Sequence, residues 1–267
     1  TPRFLTIQSA NGTDEHSLTR ATLQIQEGCD EHCTYCIIPS VRGASRSRPL
    51  AQIVEHARKI AETGYREIAL TGVNTGSYGS DIEDSTGFID VLRAIVEIDG
   101  IERVRVNSVE PTSINDMLID FLASEPKICR HYHIPLQSGS DSVLKRMNRR
   151  YRSEQYAGIV HALWKCQPDA AIGAAVMVGF PGETDAEFDE TMRFIDSLPM
   201  TYLHVFSYSE REGTPAMKLE GHHSRAVKDR RNRELRKLGL AKREKFHQRH
   251  VGRDVSVLVE DPHDPDT

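Results

Sequence analysis

Residues 21–36 read ATLQIQEGCDEHCTYC: a weakly alternating β pattern over 21–27 that runs directly into a loop carrying Cys29, Cys33 and Cys36. The C-x3-C-x2-C spacing places three soft donors within eight residues, and the other two cysteines, Cys129 and Cys166, stand far apart. An odd set of five, three of them clustered, is poor disulfide arithmetic and suits metal ligation in a reducing, cytoplasmic setting. Thiolates are the usual ligands of iron–sulfur clusters, which ordinarily take four; three on one tight loop would hold three irons of a cubane and leave the fourth for an exogenous ligand. On spacing alone three other readings stay open. Zinc could recruit His32 if that residue folded back; Cys33 and Cys36 could form a redox pair that leaves Cys29 without a role; or the thiols could be unrelated.

Outward from the loop, strand and helix patterns alternate. Leu50, Ile53, Val54, Ala57 and Ala61 mark a helix; 67–71 (EIALT) reads as a buried strand, 88–98 as a helix, 103–109 (RVRVNSV) as a strand and 114–122 as a helix. A strand follows at 131–136, helices near 140–147 and 153–166, a strand at 171–178, a helix through Phe188, Met192 and Ile195, and a last strand at 202–208. Parallel strands need crossovers, and helices supply them. Six such units, one in roughly every 30 residues, predict an α/β fold: a partial (β/α)6 barrel with functional loops at the C-terminal strand ends. A doubly wound open sheet fits the same periodicity.

The length of 267 residues suits one large α/β domain or two average ones, and 38% hydrophobic with 27% charged residues is soluble globular chemistry. The most apolar stretch, Ala170 to Phe180, has eleven residues against the roughly 18 that suggest a membrane span, so no membrane association is expected. No basic-then-apolar leader follows Thr1, and no signal peptide is expected. The formal net charge of −5 hides a segregation: residues 225–249 hold eleven Lys/Arg against three acids, a local +8. Such a block can attract phosphates; equally, it can be a solvated amphipathic helix with Leu235, Leu238 and Phe246 facing inward. The expected organisation is a linker over 1–18, a core over 19–224, a basic helix over 225–252, and a small β domain beginning with a strand at Val255–Val259 within 253–267.

Three further runs, HIPLQSGS at 133–140, VGFPGE at 178–183 and Tyr208-Ser209-x4-Gly213-Thr214-Pro215, join the long segment GCDEHCTYCIIPSVRGASRSRP at 28–49. Together they resemble the radical S-adenosylmethionine (SAM) methylthiotransferases, over about Thr19 to Glu260; HIPLQSGSD followed by LKRMNRRY is most similar to the branch acting on tRNA threonylcarbamoyladenosine. The resemblance implies a [4Fe–4S] cluster on Cys29, Cys33 and Cys36, and SAM on its open iron, cleaved by one electron to a 5′-deoxyadenosyl radical that takes hydrogen from C2 of an adenine beside the anticodon. A second [4Fe–4S] cluster, in an N-terminal domain, would supply sulfur, and another SAM the methyl group. Cys129 and Cys166 cannot supply that second cluster, so the chain reads as the radical core of a longer enzyme, with Val255 resembling the start of an RNA-gripping TRAM domain. A ribosomal-protein or isopentenyladenosine methylthiotransferase is the close alternative, and a zinc-structured RNA-binding module the distant one.

The resemblance assigns cofactor contacts to Tyr35, to Thr71, Gly72 and Asn74 after the second strand, to Ser108 and Glu110 after the third, to Gln137 after the fourth, and to Val178, Gly179, Phe180 and Tyr208 around the adenine. Gly72 would let the backbone approach the ligand. Ser138 and Ser140 can cap the next helix, Thr184-x-x-Glu187 is a capping box, and His131 and His133 read as ordinary buried histidines. Arg42, Arg46, Arg48, Arg149 and Arg150 follow strand-end loops and are expected to meet the tRNA anticodon stem-loop. No catalytic side chain beyond cluster and SAM is expected. The partners implied are that RNA and a reducing electron donor, with the chain a monomer.

Overall fold

The computed structural model describes residues 20–259 and the backbone of Thr6–Ile7. In chain order the elements are β1 (Thr6–Ile7), β2 (Ala21–Gln24), β3 (Gln26–Glu27), α1 (Ile38–Arg42), β4 (Arg46–Ser47), α2 (Leu50–Glu62), β5 (Glu67–Thr71), α3 (Phe88–Val96), β6 (Arg103–Val106) and α4 (Asp116–Ser124). They continue with β7 (His131–His133), α5 (Asp141–Arg146), α6 (Ser153–Cys166), β8 (Ala171–Val178), α7 (Asp185–Ser197), β9 (Tyr202–Ser207) and α8 (Arg225–Gln248). None of the described helices is long and apolar enough to cross a membrane.

The strands form two parallel runs, β2-β5-β6 and β7-β8-β9, with β1 antiparallel on the edge of β2. A single parallel bridge, Val104 to Ile128, joins the runs, reinforced by the Cys129 N–H on the Val104 carbonyl at 2.9 Å. Spatial order therefore follows chain order, whereas a doubly wound sheet reverses direction at a switch point. This is the partial barrel, and β9 does not pair with β2 to close it.

Period-two alternation sorts the side chains. Ile68, Leu70, Val104, Val106, Ile172, Ala174 and Val176 point outward into one core with Ile53, Ile60, Leu92, Ile95, Leu122, Tyr156, Val160, Phe188 and Leu235 from the helices. The opposite face lines a polar lumen. There Glu67, fully buried, accepts from Arg103 at 2.7 Å and Arg105 at 2.8 Å. Across the lumen His131, His133 and His204 surround Tyr202, whose ring centroid lies 5.3 to 5.9 Å from theirs. Gly173 is what admits that ring, since a Cβ there would sit 2.0 Å from Tyr202 Cζ.

Several expectations are corrected. Thr6–Ile7, expected in a linker, pairs with β2; the rest of 1–18 lies outside the described residues. The strand expected over 21–27 splits because Arg48 N–H takes the Ile25 carbonyl and Gln26–Glu27 turn to pair with β4. The expected strand at Val255–Val259 is absent: residues 254–259 carry no strand, and Val255, Val257 and Val259 are exposed with no ladder partner among the described residues. Ser140 does occupy the N-cap position of α5, yet its hydroxyl bonds Ser142, and Ser138 bonds Thr191 of α7 at 3.1 Å; neither side chain caps. The Thr184–Glu187 capping box is present.

Candidate cofactor and metal site

The cysteine loop begins where β3 leaves the sheet. Gly28 opens it at φ +72°, and any Cβ there would lie 2.0 Å from the Ala44 carbonyl oxygen, so the loop's start packs directly on the returning chain. Gln26, buried beneath, donates to the Gly28 carbonyl (2.7 Å) and Ser45 (2.9 Å) and accepts from Asn74 N–H (2.8 Å), locking the loop to the end of β5. From the other half, Thr34 bonds the Met147 and Arg146 carbonyls, and Ala216 N–H donates to the Thr34 carbonyl at 2.8 Å. The loop is thus suspended between both sheets at their C-terminal ends.

Its thiols are half-buried or buried. Burial pushes Cys29 up to about 11 and raises Cys33, against which the Arg149 guanidinium works. Ligation requires thiolates, so a bound cation must supply the charge that water does not. His32 is exposed, and no three His, Cys, Asp or Glu among the described residues converge on one ion position. With His32 turned to solvent the loop offers three thiols and no histidine as a fourth ligand, a donor set that suits a cluster whose thiolates bind separate irons.

Arg149 is the residue the sequence misplaced. Its side chain is 4% exposed, donates to Cys33 Sγ at 3.1 Å, and pairs with the Glu110 carboxylate. It belongs to the cysteine loop and is not available to an RNA phosphate. Arg48 is likewise buried, its guanidinium against His56. Arg42 and Arg150 are exposed and reach Glu27 and Glu31; Arg46 is half-buried. Nothing local marks Arg149 among the basic residues of 145–152, because its partners lie 116 and 39 positions away.

Two of the sequence candidates are tied to the loop by hydrogen bonds: Asn74 through Gln26, and Glu110 through Arg149, which also meets Cys33 and Tyr35. Asn74 Oδ1, Gln137 Oε1 and the Tyr208 hydroxyl are buried without a hydrogen-bond partner among the described residues. Gln137 also holds φ +64°, a region non-glycine residues seldom adopt and one that marks functional sites. Tyr35 is half-buried, and burial raises its phenol well above the ordinary value. A small apolar cluster of Val143, Met147, Met177, Phe180, Tyr208 and Ala216, with Tyr35 against it, forms the floor. Thr71 is half-buried. Gly72 approaches Gln26 closely: a Cβ would lie 3.0 Å from its Oε1, so its contribution is to the loop anchor. Ser108 is exposed, and its carbonyl accepts from Thr75.

The turn after β8 is braced from below. Gly179 N–H donates to Glu183 Oε2 at 2.6 Å, and Arg231 of α8 donates to the same oxygen at 2.8 Å. Arg231 and Glu183 are 2% and 1% exposed, an ion pair that sequence reading missed because Arg231 looked like one more solvated cation.

A model of the radical SAM superfamily matches residues 23–195. The threonylcarbamoyladenosine tRNA methylthiotransferase MtaB of Bacillus subtilis (strain 168) is 41% identical over 91% of this chain and 54% of its own length. The tRNA-2-methylthio-N(6)-dimethylallyladenosine synthase of Alkaliphilus oremlandii (strain OhILAs) is also 41% identical, over 92% and 52%. The chain therefore spans about half the length of the curated relatives it matches. Among solved structures, the radical SAM methyltransferase TsrM of Kitasatospora setae superposes with a TM-score of 0.61 at 18% identity, over 73% of this chain and 38% of its own, a likeness of fold. The chain belongs to the radical SAM superfamily. Membership implies a [4Fe–4S] cluster and SAM, and the residues present fit both: three thiols on one loop, buried polar atoms of Asn74, Gln137 and Tyr208 without partners among the described residues, and a small apolar cluster that includes Phe180.

Proposed function

We propose that this chain is the radical SAM core of a longer tRNA methylthiotransferase, acting at C2 of N6-threonylcarbamoyladenosine beside the anticodon. Its domains would be the core over 19–224 and the basic helix over 225–252. The carrying observation is the three-thiol loop with the Glu110–Arg149 pair against Cys33, together with Asn74, Gln137 and Tyr208 at strand ends, each holding a buried polar atom without a partner among the described residues. Cys29, Cys33 and Cys36 would hold the cluster, and the bound pair of cluster and SAM supplies a 5′-deoxyadenosyl radical when reduced by an external donor.

The chain's own residues bind and orient. Arg149 offers a guanidinium to the SAM carboxylate and Glu110 a carboxylate to its ammonium, both beside Cys33. Gln137 and Asn74 present carbonyl oxygens to the remaining N–H and hydroxyl donors. Gly179 N–H is committed to Glu183, so in this turn the adenine edge is left to the Gly179 carbonyl and Phe180 N–H. Phe180, Met177 and Tyr35 exclude water from that side. A second cluster outside this chain would provide sulfur. Arg42, Arg46 and Arg150 remain candidates for the anticodon stem-loop, in a cytoplasmic setting and with the chain a monomer.

A dimethylallyladenosine substrate is the second reading, favoured by the equal 41% identity of that relative. Anaerobic reconstitution tests the core: about four irons per chain, lost in Cys33→Ala, with SAM cleavage on reduction. Equal iron in the variant refutes the cluster. Full-length enzyme presented with threonylcarbamoylated and dimethylallylated tRNA separates the substrates.

A further inference from the structure

We propose that the groove between β9 and α8 seats a single-stranded stretch of RNA and leads it to the cofactor turn. The groove has a volume of ≈ 790 Å³. One wall is β9, whose lumen-face residues Tyr202, His204 and Phe206 succeed one another at every second position. The other wall is α8, where Arg236, Arg243 and His247 lie on one helical stripe with Leu240. Phe206 is 38% exposed and Leu240 is 56% exposed. Neither Arg236 nor Arg243 has an acidic partner among the described residues, although α8 contains acids; Asp229 is taken by Arg225.

Planar rings on one side and unpaired cations on the other are the recognition chemistry of single strands, where bases stack and phosphates track a positive wall. Two other occupants fit worse. A strand adding to the open edge of β9 would need its carbonyls, and the Val205 carbonyl already accepts from Arg236 at 3.4 Å. An apolar protein face would bury two guanidiniums without counter-charges, which is strongly unfavourable.

Direction follows from the strand. The lumen-face series Tyr202, His204, Phe206 continues to Tyr208, one pleat and about 7 Å beyond Phe206. Tyr208 packs edge-on against Phe180, with ring centroids 5.6 Å apart. A base at the upper end of the groove is thus one step from the site described above, while its backbone rests against α8. The inference depends on RNA being the substrate class, and it adds where and by which groups the strand is held.

The test uses the cluster-loaded chain and a labelled anticodon stem-loop RNA, with affinity read by fluorescence anisotropy across a salt series. The double variant Arg236→Gln/Arg243→Gln is expected to lose affinity about tenfold near 0.1 M salt, and its log–log salt slope should shrink by about 1.4, for two phosphates. Phe206→Ala is expected to lose about tenfold with the slope unchanged, because stacking carries no counterions. Lys237→Gln, which removes an exposed charge from another face of α8, should leave both readings within twofold. Circular dichroism and iron content confirm that each variant is folded. Parental affinity in the double variant, or an equal loss in Lys237→Gln, overturns the groove. Parental RNA affinity together with variant-dependent self-association in sedimentation assigns the groove to a second copy and also overturns it. If the unaltered chain binds no RNA at low salt, the substrate reading itself has failed.

Discussion

On the β2-β5-β6 side of the lumen a carboxylate, Glu67, is held between Arg103 and Arg105; on the β7-β8-β9 side His131, His133 and His204 gather around Tyr202. Both halves place polar groups on the lumen face, and they treat them by opposite means. Burial pushes the Glu67 carboxyl up, but the hydrogen bonds from the two arginines more than reverse it, and the group stays ionised below the ordinary carboxylate range. Burial pushes His131 and His133 down to about 4, helped by Arg105 at His131 and by His204 at both, so these rings are neutral at pH 7. One half keeps charge by pairing it and the other removes charge altogether. The two halves of one parallel-stranded lumen are therefore polar in different ways.

Breaking the charged half should have the largest effect at neutral pH. Glu67→Ala leaves the guanidiniums of Arg103, Arg105 and Arg20 without the carboxylate they share and is expected to destabilise the fold by about 3–5 kcal/mol, read from urea denaturation. Acid should then separate the halves. The folded values of His131 and His133 lie below the ordinary 6.5, so the unfolded chain binds more protons between pH 6.5 and 4. The neutral half's contribution is complete above pH 6.5 and fades as pH falls toward 4, by about 6 kcal/mol for the pair before solvent screening reduces it. The Glu67 pairing is lost only at lower pH, because its folded value lies below 4.5. Replacing both histidines with Asn should flatten the upper limb of the stability–pH curve alone; an unchanged limb would show that the rings do not titrate there. The smallest effect belongs to Tyr202→Phe, which removes the 3.2 Å bond to His133 Nδ1 while keeping the ring, at about 1 kcal/mol.

Period-two and helical patterning made the succession of strands and helices readable in advance, because the longer strands and helices carry apolar residues at their own periods, but a doubly wound sheet fits that succession too and only the strand order decides for the partial barrel. The cysteine loop was equally legible, since its three donors lie within eight consecutive residues. What escaped was the destination of long cations. Arg149 and Arg231 share their local composition with freely solvated neighbours, and only tertiary packing separates them: one ends on Cys33 and Glu110, the other on Glu183. Gln137 and Asn74 could be placed at strand ends but not seen to be unsatisfied, a property that depends on every atom around them.

The shared oxygen of Glu183 couples two regions that are far apart in the chain. It receives the Gly179 amide of the turn after β8 and the Arg231 guanidinium from the second turn of α8. Lifting α8 away would strand that carboxylate and release the amide in the same event. Hydrogen exchange should therefore record one opening, with the Gly179 amide and the first turns of α8 losing protection together, so that whatever grips the helix also sets how long the turn holds its shape.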